Sequence, residues 1–88
     1  MRFPVVIHKE PTSDYGVTVP DLPGCFSAGE TLEKALSNTR EAIELHLESM
    51  LEDGESMPVV DDIERHRGNE GFGGGVWEWV EVEFRFES

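Results

Sequence analysis

The stretch that decides the fold is residues 14–55, DYGVTVPDLPGCFSAGETLEKALSNTREAIELHLESMLEDGE. It opens with an alternating run, Tyr15 to Val19, in which Tyr15, Val17 and Val19 fall on one side and Gly16 and Thr18 on the other, the pattern of a strand. Pro20-Asp21-Leu22-Pro23-Gly24 cannot continue a ladder, because two prolines lack donors and Gly24 suits a positive φ. A short further strand is expected from Cys25 to Ala28. Thr31 then stands where an N-cap hydroxyl is wanted, Glu33 lies in the first turn, and Gly54 closes the segment as a C′ glycine. The residues between them form a helix of about 34 Å, long enough to cross a sheet. At 100° per residue, Leu32, Ala35, Leu36, Thr39, Ile43, His46, Leu47 and Met50 make one apolar stripe. Glu41, Glu44, Glu48 and Glu52 occupy the opposite side, with Leu45 exposed among them.

Working outward, Phe3 to Lys9 reads as a first strand with Phe3, Val5 and Ile7 on one face, followed by turn chemistry over Glu10 to Asp14. After the helix, Pro58 is a breaker, Asp61 to His66 suits one short turn, and GNEGFGGG at 68–75 is a loop. Val76 to Phe86 alternates again as a last strand. Val80, Val82, Phe84 and Phe86 form one face, and Glu81, Glu83 and Arg85 the other. Trp77 and Trp79 share the face of Glu81 and Glu83, so either they are exposed or a bulge changes the register. The order is β-β-β-α-β, an α+β fold whose antiparallel sheet carries one long helix on one face. Eighty-eight residues suit a single domain over 1–88. A chain so short buries only about 60–65% of its unfolded surface, which favours self-association.

Nineteen acidic against seven basic residues give a net charge of −12. That field repels nucleic acid and draws basic surfaces. The excess concentrates in residues 30–57, with eight acidic and two basic residues, and in 58–88, with eight and three. Cys25 is the lone cysteine, so no internal disulfide can form and a reduced cytoplasm is expected. MRFPVVIHKE is too short and polar for a signal peptide or membrane span.

Catalytic and ligand sites are not indicated. His8, His46, His66 and Cys25 lack metal-ligand spacing, and His46 lies on the helix's inner stripe. Asp14 and Asp21 sit in predicted turns, where aspartate serves backbone hydrogen bonding in solvent. No histidine lies near Cys25 in sequence to activate it, and it reads as a half-buried strand residue. GNEGFGGG lacks the lysine and hydroxyl residue of a phosphate loop. No metal or cofactor is expected.

Several parts of the chain resemble the HicB-like antitoxin family: Tyr-Gly-Val at 15–17, Pro-Asp-Leu-Pro-Gly-Cys at 20–25, Gly-Glu-Thr-Leu at 29–32 and Glu-Ala-Ile at 41–43. Residues 1–10 and Val-Trp-Glu-Trp-Val-Glu-Val at 76–82 are similar to its first and last strands. The resemblance implies a partial RNase H-like fold without nuclease activity. It also implies a partner, a HicA-like toxin that is small, basic and RNA-cleaving. Two departures stand out. Lys34 replaces the glutamate of a capping box, and many members of the family continue past the last strand into a ribbon-helix-helix or helix-turn-helix domain, which is not expected here. On this reading the surface offered to the toxin comprises the turn Asp21, Leu22, Pro23, Gly24 and Cys25, the helix residues Glu41, Glu44, Leu45 and Glu48, and Trp77 and Trp79. The alternatives are an orphan domain of the same fold that binds another basic protein or acts as a regulatory oligomer, and a metal-dependent nuclease, which the missing carboxylate set opposes.

Seven scattered basic residues and one acidic-faced helix give no element for a DNA groove. In a gel shift at about 0.1 M salt, the chain alone should not retard its own promoter at nanomolar protein. A sequence-specific shift there would contradict this reading.

Overall fold

The computed structural model describes residues 1–56, 58–60, 63–67 and 75–83. Strands β1 (Arg2–Lys9), β2 (Tyr15–Thr18) and β3 (Phe26–Gly29) precede helix α1 (Leu32–Glu52), a short helix α2 (Ile63–Arg67) and strand β4 (Val76–Glu81). The sheet order is β3-β2-β1-β4, antiparallel throughout. Of the expected last strand, Val76–Glu81 is observed, and Phe84 and Phe86 lie outside the described residues, as do Asp61 and 68–74 of the loop. Beyond Glu81 the pairing persists through Met1 and Val82, which exchange two main-chain bonds.

The register divides the side chains between two faces. Phe3↔Val80 and Ile7↔Val17 lie on one, Pro4↔Trp79 and Val6↔Trp77 on the other. α1 packs on the first, where Phe3, Val5, Ile7, Val17, Val19, Leu22, Cys25, Val80 and Val82 bury Ala35, Ile43 and Leu47. Thr39 is buried among them and satisfies its hydroxyl by donating to the Ala35 carbonyl at 2.6 Å. Leu36, His46 and Met50 are half-buried as the stripe requires, but Leu32 is 41% exposed. It lies in the first turn, at the margin of the sheet.

Both helix ends are closed locally. The Thr31 hydroxyl accepts from the Lys34 amide at 3.1 Å, so the cap forms although Lys34 cannot return the bond. At the other end Gly54, at φ 73°, donates to the Leu51 carbonyl and Glu55 to that of Met50, a Schellman closure.

The second face carries both tryptophans of β4. No bulge interrupts β4, and Trp77 and Trp79 pair in continuous register with Val6 and Pro4, which are buried. Trp77 is half-buried and stacks on His66, with ring centroids 5.9 Å apart and planes 12° apart. Trp79 stays 38% exposed beneath the Arg2 guanidinium, 4.8 Å above its ring. Pro4 is tolerated in a central strand because the β1–β2 ladder covers only Val6 to Lys9. Its missing donor would have faced the side where that ladder has ended.

α1 approaches β3 at one glycine. A Cβ on Gly29 would overlap the Ala35 amide nitrogen and lie 2.8 Å from Ala35 Cα, with backbone on all sides. Gly29→Ala should therefore destabilise the fold by about 1–3 kcal/mol, read from the urea midpoint. An unchanged midpoint would show that the helix seats elsewhere.

Candidate partner-binding surface

α1 turns a run of carboxylates away from the core, because residues three and four apart share one side of a helix. Glu41 and Glu48 are exposed, Glu44 is half-buried, and Leu45 is 65% exposed between them. Together these four line a shallow hollow of about 260 Å³. Glu44 also walls a second hollow, of about 330 Å³, completed by Arg40, by Glu81 at the end of β4, and by Glu83. Five carboxylates from two distant parts of the chain thus line two hollows that share Glu44, one beside Leu45 and the other beside Arg40. Sequence reasoning found the helix residues but missed Arg40, Glu81 and Glu83. Only the packing of β4 beside α1, some forty residues away in sequence, brings them together.

The Asp21–Cys25 turn is built differently from the expectation. Leu22 and Cys25 are buried in the core, while Pro23 and Gly24, at φ 82°, form the exposed tip. Main-chain bonds knot the turn: Val19 N–H to Cys25 O at 3.0 Å, Leu22 to Val19 at 3.1 Å, and Cys25 to Leu22 at 2.9 Å. Asp21 is not a solvated turn aspartate. Its side chain is 3% exposed, and Oδ1 lies 2.9 Å from His66 Nε2. His66 therefore ties α2 to both the turn and Trp77, a role that a separation of 45 positions from Asp21 hid from sequence reading. Beside the turn, Leu22, Pro23, His46, Met50, Glu55 and Pro58 line most of a third hollow of about 310 Å³. Of the five turn residues, then, Pro23 and Gly24 are the ones with open surface.

Among the described residues no group of three or more His, Cys, Asp or Glu could hold a metal ion. Nor is any described helix long and apolar enough to cross a membrane. Burial pushes the Cys25 thiol above its ordinary range, favouring the protonated, unreactive form.

The model of a family described as HicB_like antitoxin of bacterial toxin-antitoxin system matches residues 3–87. The chain belongs to this family. A protein of Haemophilus phage HP1, described as an uncharacterized 14.9 kDa protein in the rep-hol intergenic region, is 50% identical over 66 residues, 75% of this chain and 49% of its own. The N-terminal domain of the Burkholderia pseudomallei antitoxin HicB superposes with TM-score 0.82 at 44% identity, covering 96% of this chain and all of that domain. A chain of a HicA3 and HicB3 toxin–antitoxin complex superposes with TM-score 0.78 at 29% identity, covering 94% of this chain and 99% of its own. The chain spans about half the length of the phage relative and 64% of the longer Burkholderia chain.

Because burial raises the Cys25 thiol, its thiolate fraction at pH 8 should be far below that of a free cysteine. Alkylation of the native chain by iodoacetamide should be at least about tenfold slower than in denaturant. Equal rates would mean that the turn opens readily.

Proposed function

We propose that the chain is the antitoxin of a type II toxin–antitoxin pair, and that it neutralises a HicA-like, mRNA-cleaving toxin by binding it directly. The observation that carries this reading is the pair of hollows joined at Glu44, one lined by Glu41, Glu48 and Leu45, the other by Arg40, Glu81 and Glu83. A ribonuclease must present lysine and arginine to its substrate's phosphates. An array of carboxylates competes for that same basic surface. The likeness to a chain from a toxin–antitoxin complex supports this choice of partner.

The division of labour follows from burial. The glutamates steer encounter and set orientation, and because they stand largely in water each contributes little to the final affinity. Leu45, apolar and 65% exposed, supplies the contact that excludes water once the surfaces meet. Glu44, half-buried and shared by both hollows, sits at the centre. Inhibition on this account is steric, needing no chemistry from the antitoxin, and family membership supports a non-enzymatic role.

Two measurements check it. With excess Mg²⁺ the purified chain should leave RNA intact, and one equivalent should protect RNA from a HicA-type toxin. Reversing Glu44 and Glu48 to lysine should slow association about tenfold or more at low salt, with the difference shrinking as salt screens the surface. An unaltered rate at low salt would move the contact off α1.

A further inference from the structure

The two hollows that meet at Glu44 differ in charge. Glu41, Glu44, Leu45 and Glu48, which line the first, include no base. The second sets Arg40 against Glu44, Glu81 and Glu83. Helix α1 carries five glutamates and two basic residues, Lys34 in its first turn and Arg40 near its middle, and both basic residues are exposed. Of the two, Arg40 is the one that stands at the acidic surface.

Its surroundings do not explain it as a structural ion pair. Arg40 forms no ion pair or side-chain hydrogen bond with any described residue, although three carboxylates line the hollow with it. Glu44 follows it by four residues, the weaker order for a pair on a helix, since glutamate is favoured on the N-terminal side. A guanidinium offers five N–H donors in a planar fork. Those of Arg40 are therefore left, among the described residues, for a molecule from outside.

A surface that recruits by negative charge is weakened by an uncompensated base, because that base opposes every cation brought near it. Such a repulsive element is also how an interface separates its own partner from others of like charge. Resting on the reading that this surface binds the toxin, we propose that Arg40 is its selectivity residue. It turns away proteins that bring a cation to the hollow of Glu44, Glu81 and Glu83, and it donates to an uncharged oxygen of the fitting toxin, a hydroxyl or a main-chain carbonyl. The acceptor is uncharged because the three carboxylates repel an anion there as Arg40 repels a cation. A lysine or arginine of the toxin enters the neighbouring hollow instead, its methylene stem over Leu45 and its charged head among Glu41, Glu44 and Glu48. A polycation with bases at every position cannot meet both conditions.

The test compares dissociation constants, at about 50 mM salt, for two probes: a HicA-type toxin and poly-L-lysine of about 20 residues. Arg40→Gln removes the charge. Lys34→Gln lowers the net charge equally, but six residues or about 9 Å away along α1. Glu44→Lys disrupts the acidic surface itself, and circular dichroism checks that each variant folds. Arg40→Gln should bind poly-L-lysine at least about threefold more tightly and the toxin at least about threefold more weakly, opposite shifts that a change of net charge cannot produce. Lys34→Gln should move both constants by less than about twofold. A gain for both probes in Arg40→Gln, a change in neither, or the same opposed shifts in Lys34→Gln overturns the proposal. Toxin binding that survives Glu44→Lys takes the toxin off this surface and overturns the proposed contact together with this inference. Toxin binding lost in Glu44→Lys, without the opposed shifts in Arg40→Gln, overturns the inference alone.

Discussion

The rest of the structure depends on one constraint: β1 is buried on both of its faces. Phe3, Val5 and Ile7 look toward α1, while Pro4 and Val6 look the other way and are equally inaccessible. A strand of that kind needs two covers. α1 supplies the first, held close by the absence of a side chain at Gly29. β4 supplies the second by placing Trp77 and Trp79 opposite Val6 and Pro4, and His66 stacks on Trp77. Arg2, at the start of β1, lies over Trp79, so the outer strand is fixed to the central one by side chains as well as by its ladder.

Those two covers decide which surfaces remain for other molecules. α1 uses one stripe against the sheet and turns its glutamates outward, where β4 delivers Glu81 and Glu83 alongside them. On the β2–β3 half of the opposite face, Phe26 and Ala28 are exposed.

Much of this was legible in sequence because it is local. Thr31 and Gly54 bracket α1, Pro20 to Gly24 break the ladder, and the 3.6-residue spacing of Ala35, Thr39, Ile43 and Leu47 names the buried stripe. Phe3-Pro4-Val5-Val6-Ile7 is an unbroken apolar run, the signature of a strand covered twice, where period-two reading singled out only Phe3, Val5 and Ile7. Of the two alternatives for Trp77 and Trp79, no bulge forms and Trp79 is exposed, but Trp77 is half-buried. Asp21, read as a solvated turn residue, is buried instead. His66 resolves both, but its contacts span tens of residues and leave no periodic trace. Arg40, Glu81 and Glu83 were missed for the same reason.

The central claim is that the α1–β4 glutamate surface is where the toxin sits. The most direct measurement is the change in backbone amide chemical shifts of the isotope-labelled chain when a HicA-type toxin is added. The account predicts that the largest changes fall on residues 40–48 and 81–83, while 16–18 and 26–28 stay near their free positions. Changes confined to the Pro23–Gly24 tip and β3, with 40–48 undisturbed, would contradict it.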